Sequence, residues 1–318
     1  MLVNGKWTTD WHPIQKKDKA GRFLRQPSSV RNWVTPDGRR GPTGEDGFAA
    51  ESGRYHLYVA LICPWACRTL IVRKLLGLEH AISVSIVSPI MTEQGWQFGH
   101  YERATVDHLH AASYLHELYT RHDQHYTGRA TVPVLWDKKR DCMVSDESAD
   151  IIRMFNSAFG HYTNIKHDLY PPALQKKIDH LNEYYYENLN NGVYRAGFAT
   201  SQAAYDDAYD HVFAALDHLE ETLESGKPFV LGEQLTETDI RLFVTLIRFD
   251  VAYYGIFKCN KKQINDYPAI SAYLQRLYEL PGISETVDFN HIKTGYYSLR
   301  SLNPNGIVPK GPDLKMVA

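Results

Sequence analysis

The segment at residues 58–77, YVALICPWACRTLIVRKLLG, constrains the fold more than any other part of the chain. The apolar, β-branched and aromatic run at residues 54–62 predicts a buried strand. Pro64 suits the first position of a helix, where its missing N–H leaves no hydrogen bond unmade, and Gly77 suits the C-terminal cap. The segment therefore predicts a strand that passes directly into a helix, with Cys63 at the N-cap.

The residues that follow continue the alternation of strands and helices. The patterns predict a strand at 82–87, a helix within 101–125, a hairpin of 131–137 and 142–146, and an amphipathic helix at 147–159. Parallel pairing across the first strand, helix and strand, followed by an antiparallel hairpin, is the order of a thioredoxin-like α/β domain. We place this N-terminal domain at residues 52–165.

The two ends of the chain differ in composition from its middle. Residues 1–51 are rich in Gly, Pro and charge, which predicts an irregular N-terminal extension. Trp7, Trp11 and Trp33 nevertheless indicate that this extension is docked on the rest of the protein. The Pro- and Gly-rich stretch near the other end predicts a C-terminal tail at 291–318.

Between these parts, residues 170–290 lose the β pattern and show 3.6-residue periodicity in several long stretches. We therefore predict an all-α C-terminal helical domain. Thr236 lies three residues before Asp239, whose carboxylate can reach back to a backbone N–H that the helix start leaves unpaired. We interpret this pair as a structural cap.

Composition excludes several classes of function. With 35 basic and 37 acidic residues the net charge is −2, so we expect no nucleic acid partner. Nowhere do 18 consecutive apolar residues occur and the start of the chain lacks an apolar secretory stretch, so we expect a cytoplasmic protein without a membrane partner. Four cysteines scattered over 318 residues fit neither a disulfide framework nor a zinc site. We expect no metal and no tightly bound cofactor.

Cys63 is the candidate nucleophile. At a helix N-cap, backbone N–H groups and the positive end of the helix dipole favour a thiolate, so we expect a pKa below that of an ordinary thiol. Ala66 occupies the second cysteine position of a Cys-x-x-Cys pair, and Cys67 is poorly aligned for an unstrained disulfide, so we interpret Cys67 as a core residue. A site with one cysteine must take its second thiol from a small molecule. Glutathione is the obvious intracellular source.

Three features beyond the cysteine fit an extended peptide ligand. Val132-Pro133 stands where thioredoxin-like folds place a cis-proline that faces the nucleophile, and the backbone of the preceding residue can pair with a peptide. Arg129 can meet a carboxylate. Backbone N–H groups at the next helix start, with the hydroxyl of Ser148, can hold the γ-glutamyl carboxylate, while Glu147 takes the ammonium group. Together these features favour a glutathione site.

Several segments resemble the glutathionyl-hydroquinone reductases, the Xi class of glutathione transferases. The resemblance covers nearly the whole chain and is carried by YHLYVALICPWACRTLIVRKLLGLE, GRATVPVLWDKKRDCMVSDESADIIRMFNSAF, NNGVYRAGFATSQAAYD and LTETDIRLFVTLIRFDVAYYGIFKCN. It implies the glutathione transferase fold, with a thioredoxin-like domain followed by a helical domain, and a homodimer. It further implies reduction of glutathionyl-hydroquinones to hydroquinones, with glutathione as co-substrate.

Carried over residue by residue, the resemblance makes Cys63 the nucleophile and implies that Tyr194 and Tyr296 face the hydroquinone. It implies five residues around glutathione: Trp96, Arg129, Val132, Glu147 and Ser148. The chain also departs from the family pattern, which usually has histidine where Cys67 stands and HIKRHYY where this chain has HIKTGYY. Thr294 and Gly295 thereby replace a basic residue and an imidazole near the hydroquinone end of the implied site.

The expected reaction is a covalent cycle. Cys63 takes the sulfur of the substrate, and a second glutathione resolves the mixed disulfide to give oxidised glutathione. Three alternatives remain on the sequence alone. A conjugating glutathione transferase is disfavoured by a cysteine at the helix start, a glutaredoxin-like thiol transferase or dehydroascorbate reductase is compatible with it, and a non-enzymatic binding module could share the fold.

Overall fold

The computed structural model describes residues 1–9, 17–165 and 167–312. Trp11 and the end of the tail lie outside the described residues. The described residues form two compact units. The first consists of those within Met1–Pro13, Pro27–His167 and Thr286–Gly295, and the second of those within Ile14–Gln26, Asp168–Glu285 and Tyr296–Ala318. Each unit joins three stretches of chain, whereas the predicted limits at 52–165 and 170–290 follow continuous sequence. Within the described ranges, no helix is long and apolar enough to cross a bilayer.

The first unit contains a four-stranded sheet with helices between its strands, as predicted. Its strands and helices are β1 (Leu2–Val3), β2 (Lys6–Trp7), β3 (Trp33–Thr35), β4 (Gly47–Ala49), β5 (Tyr55–Val59), α1 (Pro64–Leu75), β6 (Ile82–Ile86), α2 (Leu115–His122), β7 (Val134–Asp137), β8 (Cys142–Ser145) and α3 (Ser148–Ala158). The sheet has the order β6-β5-β7-β8, with β5 and β6 parallel and the other pairs antiparallel. This is the thioredoxin-like arrangement that the sequence predicts.

The strand before Cys63 lies at the centre of this sheet. Every residue of β5 is buried, which explains why its sequence, YHLYV, is apolar and aromatic on both faces. Helix α1 begins at Pro64, as predicted, and Gly77 follows its end with a φ of +61°, a backbone conformation that glycine adopts without steric cost. The sequence therefore places the junction of strand and helix correctly.

The N-terminal extension contains short strands where the sequence predicts irregular chain. Strands β1 and β2 form a small hairpin, and β3 pairs in parallel with β4. Residues 30–32, just before β3, run along β8, the outer strand of the main sheet: the N–H of Asn32 donates to Val144 O (2.9 Å), and that of Asp146 donates to Val30 O (3.0 Å). These pairings cover the open edge of β8 with backbone of the same chain.

The second unit is helical, as predicted. It contains α4 (Gln175–Tyr185), α5 (Gly192–Gly197), α6 (Gln202–Leu223), α7 (Glu237–Arg248), α8 (Tyr254–Ile256) and α9 (Pro268–Tyr278), with π-helical turns at Tyr186–Asn190 and Phe249–Tyr253. Thr236 and Asp239 cap α7 as expected, with the Thr236 N–H donating to Asp239 Oδ2 (2.8 Å). The buried carboxylate also accepts from Val230 N (3.0 Å) and the Tyr273 hydroxyl (2.8 Å), so this cap ties three segments together.

A further helix, α10 (Phe289–Tyr297), corrects the sequence analysis, which assigned most of it to the C-terminal tail. Its sequence, FNHIKTGYY, contains weak helix formers, among them Gly295, and lies beside a Pro- and Gly-rich stretch. Burial supplies the stabilisation that local propensity lacks, because His291, Ile292 and Tyr296 are almost fully buried. The division between the two units falls within this helix, after Gly295.

A buried histidine on β5 predicts how the stability of the first unit depends on pH. His56 lies between the hydroxyls of Ser83 (2.7 Å) and Ser85 (2.9 Å), and burial lowers its pKa to about 4. In the unfolded chain it protonates near its usual pKa of about 6.5. Protonation therefore favours unfolding, and the contribution of His56 to the free energy of unfolding decreases as the pH falls from about 6.5 to about 4.

We expect the wild-type protein to lose more stability than His56→Gln over this pH range, by on the order of 3 kcal/mol. Glutamine keeps a donor and an acceptor for the two hydroxyls but does not titrate. Urea unfolding at several pH values between 7 and 4 measures the difference, in which the other titrating groups cancel. Parallel stability curves for the two proteins would contradict the assignment.

Candidate active site

Three loops of the first unit meet at one end of the main sheet. The antiparallel register places Val134, at the start of β7, opposite Tyr58, near the end of β5. It likewise places Leu135 opposite Ser145, at the end of β8. The loops that follow β5, precede β7 and follow β8 therefore lie at the same end. They carry four of the predicted site residues: Cys63, Arg129, Val132 and Glu147.

Cys63 occupies the N-cap of α1, as the sequence predicts. Its backbone is extended (φ −76°, ψ 118°), and its carbonyl oxygen accepts the first helical hydrogen bond, from Cys67 N (3.0 Å). The thiol does not cap the helix; its sulfur instead lies 3.6 Å from Val132 O, as a donor. The Val132-Pro133 peptide bond is cis, as predicted. The structure thus brings the cysteine and the peptide before the proline together, and Cys63 is half-buried.

Glu147 and Ser148 stand at the start of α3, where the sequence analysis places the γ-glutamyl end of glutathione. The Glu147 carboxylate accepts from Ala149 N (3.0 Å), as an N-cap does. Its second oxygen accepts from the hydroxyl of Ser28 (2.9 Å), which also donates to Asp146 O (3.1 Å). Ser28 belongs to the N-terminal extension, and no motif in the sequence singles it out. The extension therefore fixes the orientation of the predicted ammonium-binding carboxylate.

The carboxyl group beside this pair is unusually buried. Asp146 accepts from Val30 N (3.1 Å) and from the Tyr119 hydroxyl (3.2 Å), and burial raises its pKa to about 6. Because the folded protein binds its proton more tightly than the unfolded chain, the contribution of Asp146 to stability decreases as the pH rises through this pKa. The hydrogen bonds that the carboxylate accepts partly offset the cost of burying its charge. They also join the extension, α2 and the end of β8.

Trp96 and Arg129 lie in the loops before α2 and before β7. The Trp96 carbonyl accepts from Leu115 N (2.9 Å), and its side chain is partly exposed after a turn that ends at Gly95. The Arg129 carbonyl accepts from the Tyr126 hydroxyl (3.2 Å). The assignment of both side chains to glutathione stays a prediction.

The three departures from the family pattern lie on one packing surface, between α1 with its neighbouring loops and the segment 286–295. Cys67 is completely buried, as predicted, and its sulfur lies 3.6 Å from Thr286 O. Thr294 accepts from the Tyr101 hydroxyl (3.1 Å). A Cβ on Gly295 would lie 2.2 Å from the Ile62 side chain and 2.8 Å from the carbonyl oxygen of Pro89. The three residues thus take part in the packing of this segment.

The second unit contains a cluster of three tyrosine hydroxyls. Tyr296 OH lies 2.6 Å from Tyr194 OH and 3.0 Å from Tyr253 OH, so it stands at the centre of the cluster. The structure therefore brings the two predicted hydroquinone residues together. Tyr253, which the sequence analysis missed among 21 tyrosines, is fully buried and joins them. Burial raises the pKa of Tyr253 and of Tyr296 well above the usual value, so both are protonated at neutral pH and can donate hydrogen bonds.

A cation from the extension lies against this cluster, again within the second unit. The guanidinium carbon of Arg25 stands 4.7 Å from the centre of the Tyr194 ring, and its Nε donates to Asn191 Oδ1 (2.7 Å). Tyr253 stacks on Phe257, with ring centres 5.3 Å apart. Sequence pattern alone could not place Arg25 here, because more than 160 residues separate it from its partners. The cluster thus combines aromatic rings with hydroxyl donors, and the positive charge of Arg25 lies against it.

Both units match known protein families. Residues 62–158 match the N-terminal domain model of the glutathione S-transferases, and residues 202–276 match their C-terminal domain model. The chain is 53% identical to the glutathionyl-hydroquinone reductase YqjG of Escherichia coli K12, over 98% of this chain and 95% of that protein. It is 45% identical to the glutathionyl-hydroquinone reductase PcpF of Sphingobium chlorophenolicum, over 98% and 96%.

Solved structures agree with this result. The glutathione-bound structure of YqjG matches with a TM-score of 0.91 at 50% identity, covering 99% of this chain and 96% of that one. The Xi glutathione transferase of Phanerochaete chrysosporium matches with a TM-score of 0.89 at 47% identity, covering 95% and 96%. The chain belongs to the glutathione S-transferase family and, within it, to the Xi class.

The close packing at Gly295 yields a prediction about stability. Alanine is the better helix former, but its Cβ would meet the Pro89 backbone, and overpacking of this kind costs about 1–3 kcal/mol. We expect Gly295→Ala to lower the midpoint of thermal unfolding. Gly160→Ala is the matched control, because a Cβ there has no heavy atom within 4 Å. A Gly295→Ala protein as stable as the wild type would show that the segment moves away at no cost.

Proposed function

We propose that this protein reduces glutathionyl-hydroquinones to hydroquinones, with glutathione as reductant and co-substrate and with no tightly bound cofactor. The single observation that carries the proposal is the placement of the Cys63 thiol at the start of α1, against the carbonyl of Val132. A sulfur there lies in the field of a helix N-terminus, which favours the thiolate, the reactive form. The names of the relatives YqjG and PcpF support the same activity.

In this proposal, the first unit binds the tripeptide of the substrate. The backbone of Val132 pairs with the cysteinyl part, Ser148 and the start of α3 hold the γ-glutamyl carboxylate, and Glu147 holds the ammonium group. Arg129 meets the remaining charge, and Trp96 covers the peptide. The support is the meeting of three loops at one end of the sheet and the glutathione bound in the structure of YqjG.

The chemical problem is the leaving group. Attack by the Cys63 thiolate on the sulfur of an aryl thioether would expel an aryl carbanion, which is far too unstable. If the hydroquinone first tautomerises, the ring carbon that bears sulfur becomes tetrahedral, and the ring leaves as an enolate. We propose that Tyr194 and Tyr296 donate hydrogen bonds to the ketone and the developing enolate oxygen. Burial raises the pKa of Tyr296, which suits a donor that must stay protonated.

The sulfur then changes partners in two steps. A bond forms between Cys63 and the glutathionyl sulfur while the carbon–sulfur bond breaks, and the ring accepts a proton to become the free hydroquinone. A second glutathione attacks the mixed disulfide through its own thiolate and releases oxidised glutathione and the Cys63 thiolate. One molecule of glutathione is consumed for each hydroquinone formed, so the two-electron reduction balances.

We further propose a homodimer in a reducing, cytoplasmic environment. The resemblance to the Xi class supports the dimer. All four cysteines lie in described parts of the chain and none forms a disulfide, which supports a reducing compartment.

The nucleophile is tested by Cys63→Ser. A serine hydroxyl is far less acidic than a thiol, so we expect loss of hydroquinone formation while the dissociation constant for glutathione changes by less than about threefold. Product analysis by chromatography and calorimetric titration with glutathione give the two quantities. Cys142→Ser is the matched control, because burial raises the pKa of that thiol to about 11. Substantial turnover in Cys63→Ser would refute the covalent mechanism.

The ring-handling step is tested by Tyr296→Phe. Removal of the central hydroxyl should slow hydroquinone release by about 100-fold or more, the usual contribution of a positioned acid, because the enolate loses a donor. Attack of glutathione on the preformed mixed disulfide should keep its rate. Tyr297→Phe is the control on the same helix, since its hydroxyl lies beside the backbone of Gly255. Equal slowing of both steps would argue against a ring-specific function of Tyr296.

Measurement of both steps in the wild-type protein distinguishes the proposed reductase from a second candidate function. If the wild-type protein exchanges small disulfides but leaves the aryl thioether unchanged, the protein is a glutaredoxin-like thiol transferase. The departures at Thr294 and Gly295 make this comparison informative, because both residues lie on α10, the helix that carries Tyr296.

A further inference from the structure

The first nine residues contact two loops of the first unit that carry predicted glutathione residues. We call residues 1–9, which contain β1 and β2, the N-terminal hairpin. One of its faces contacts the loop at 92–96, which ends in Trp96. Its first strand pairs with the segment 124–128, which leads to Arg129. Neither Trp96 nor Arg129 itself lies on a regular element of the sheet.

Trp7 makes the first of these contacts through both its ring and its polar atom. The indole Nε1–H donates to Glu93 O (2.9 Å). The same ring lies so close to Gly95 that a Cβ there would be 3.0 Å from it. Trp7 also stacks on His116, with ring centres 4.5 Å apart and planes inclined by 21°. Trp7 thus fixes the turn that precedes Trp96, by a hydrogen bond to Glu93 and by packing of its ring against Gly95.

The second contact is a short antiparallel pairing. Leu2 N donates to Gly128 O (2.9 Å), and Gly128 N donates back to Leu2 O (3.1 Å). Further along, Gly5 N donates to Tyr126 O (2.9 Å). Gly5 has a φ of +75°, and a Cβ on it would lie 1.9 Å from the carbonyl oxygen of Gln124, so only glycine permits this approach. Arg129 is the next residue after Gly128. Burial, and to a smaller extent the positive charge of Arg129, lower the pKa of the Met1 ammonium group.

We propose that the N-terminal hairpin is a positioning element for glutathione: it fixes the loops of Trp96 and Arg129 before the ligand binds. The inference rests on the assignment of these two residues to glutathione in the proposed function. Loops without such support would have to be ordered by the ligand itself, and that entropy cost would lower the affinity. Trp7 and Gly5 are therefore positioning residues.

Trp7 is tested by two substitutions and a matched control. Trp7→Phe keeps an aromatic ring against Gly95 and His116 but removes the donor to Glu93 O, so we expect the dissociation constant for glutathione to rise about twofold to tenfold. Trp7→Ala removes both contacts and should raise it further. The control is Trp33→Phe, since the Trp33 indole also loses one hydrogen bond, to Thr43 Oγ1, but contacts neither loop through it.

Gly5 is tested in the same way. Gly5→Ala should separate the hairpin from residues 124–128 and weaken glutathione binding. Gly53→Ala is its control, because Gly53 has nearly the same φ, +77°, and a Cβ there meets nothing within 4 Å. The strain of the backbone is thus matched, and only the contact differs.

Calorimetric titration with glutathione measures affinity, and steady-state kinetics separates KM for glutathione from kcat. Positioning predicts a higher dissociation constant and KM with kcat at saturating glutathione within about twofold, whereas simple loss of stability moves only the unfolding midpoint. Unchanged affinity in folded Trp7→Ala and Gly5→Ala would overturn the inference, as would equal weakening in both controls. A wild-type protein that binds glutathione but does not reduce glutathionyl-hydroquinone would refute the proposed function alone, since the binding comparison still decides the inference.

Discussion

The contact on which the site depends is that between the Cys63 sulfur and the carbonyl of Val132, at the start of a helix. A thiolate at this position gains from the helix field, and the neighbouring peptide can pair with a ligand that delivers its own sulfur to Cys63. The buried strand β5 fixes one partner and the antiparallel register of β7 fixes the other. The proposed chemistry therefore follows from the sheet: the strand order sets which loops meet, and the position at the helix start favours the reactive thiolate.

The tyrosine cluster shows a different use of burial. A buried hydroxyl without a hydrogen-bond partner destabilises the folded protein. The hydroxyl of Tyr296 has two partners, those of Tyr194 and Tyr253. Burial also keeps the protons on Tyr253 and Tyr296, which suits donation to an oxygen that becomes negatively charged. Arg25 adds a positive charge on the face of Tyr194. An apolar surface with a few fixed donors is what an aromatic substrate with two ring oxygens requires.

Local patterns predicted elements of both units well, because short-range chemistry marks their ends: Pro64 starts α1 and Gly77 follows its end in the first unit, and Asp239 caps α7 in the second. Long-range contacts were beyond the sequence. Ser28 reaches Glu147 across 119 residues, and no pattern marks it. Helix α10 was missed for a related reason, since its stability comes from burial against distant residues and not from its own propensity. The pair of tyrosines came from family resemblance, and Tyr253 from the structure alone.

The most direct test of the central claim is the intact mass of the protein after incubation with a glutathionyl-hydroquinone, quenched before further glutathione is added. The covalent account predicts one glutathione-sized adduct, mapped by peptide analysis to Cys63, and an equal amount of free hydroquinone. Hydroquinone released in the first turnover without an adduct on Cys63 would contradict it, as would an adduct confined to Cys142 or another thiol.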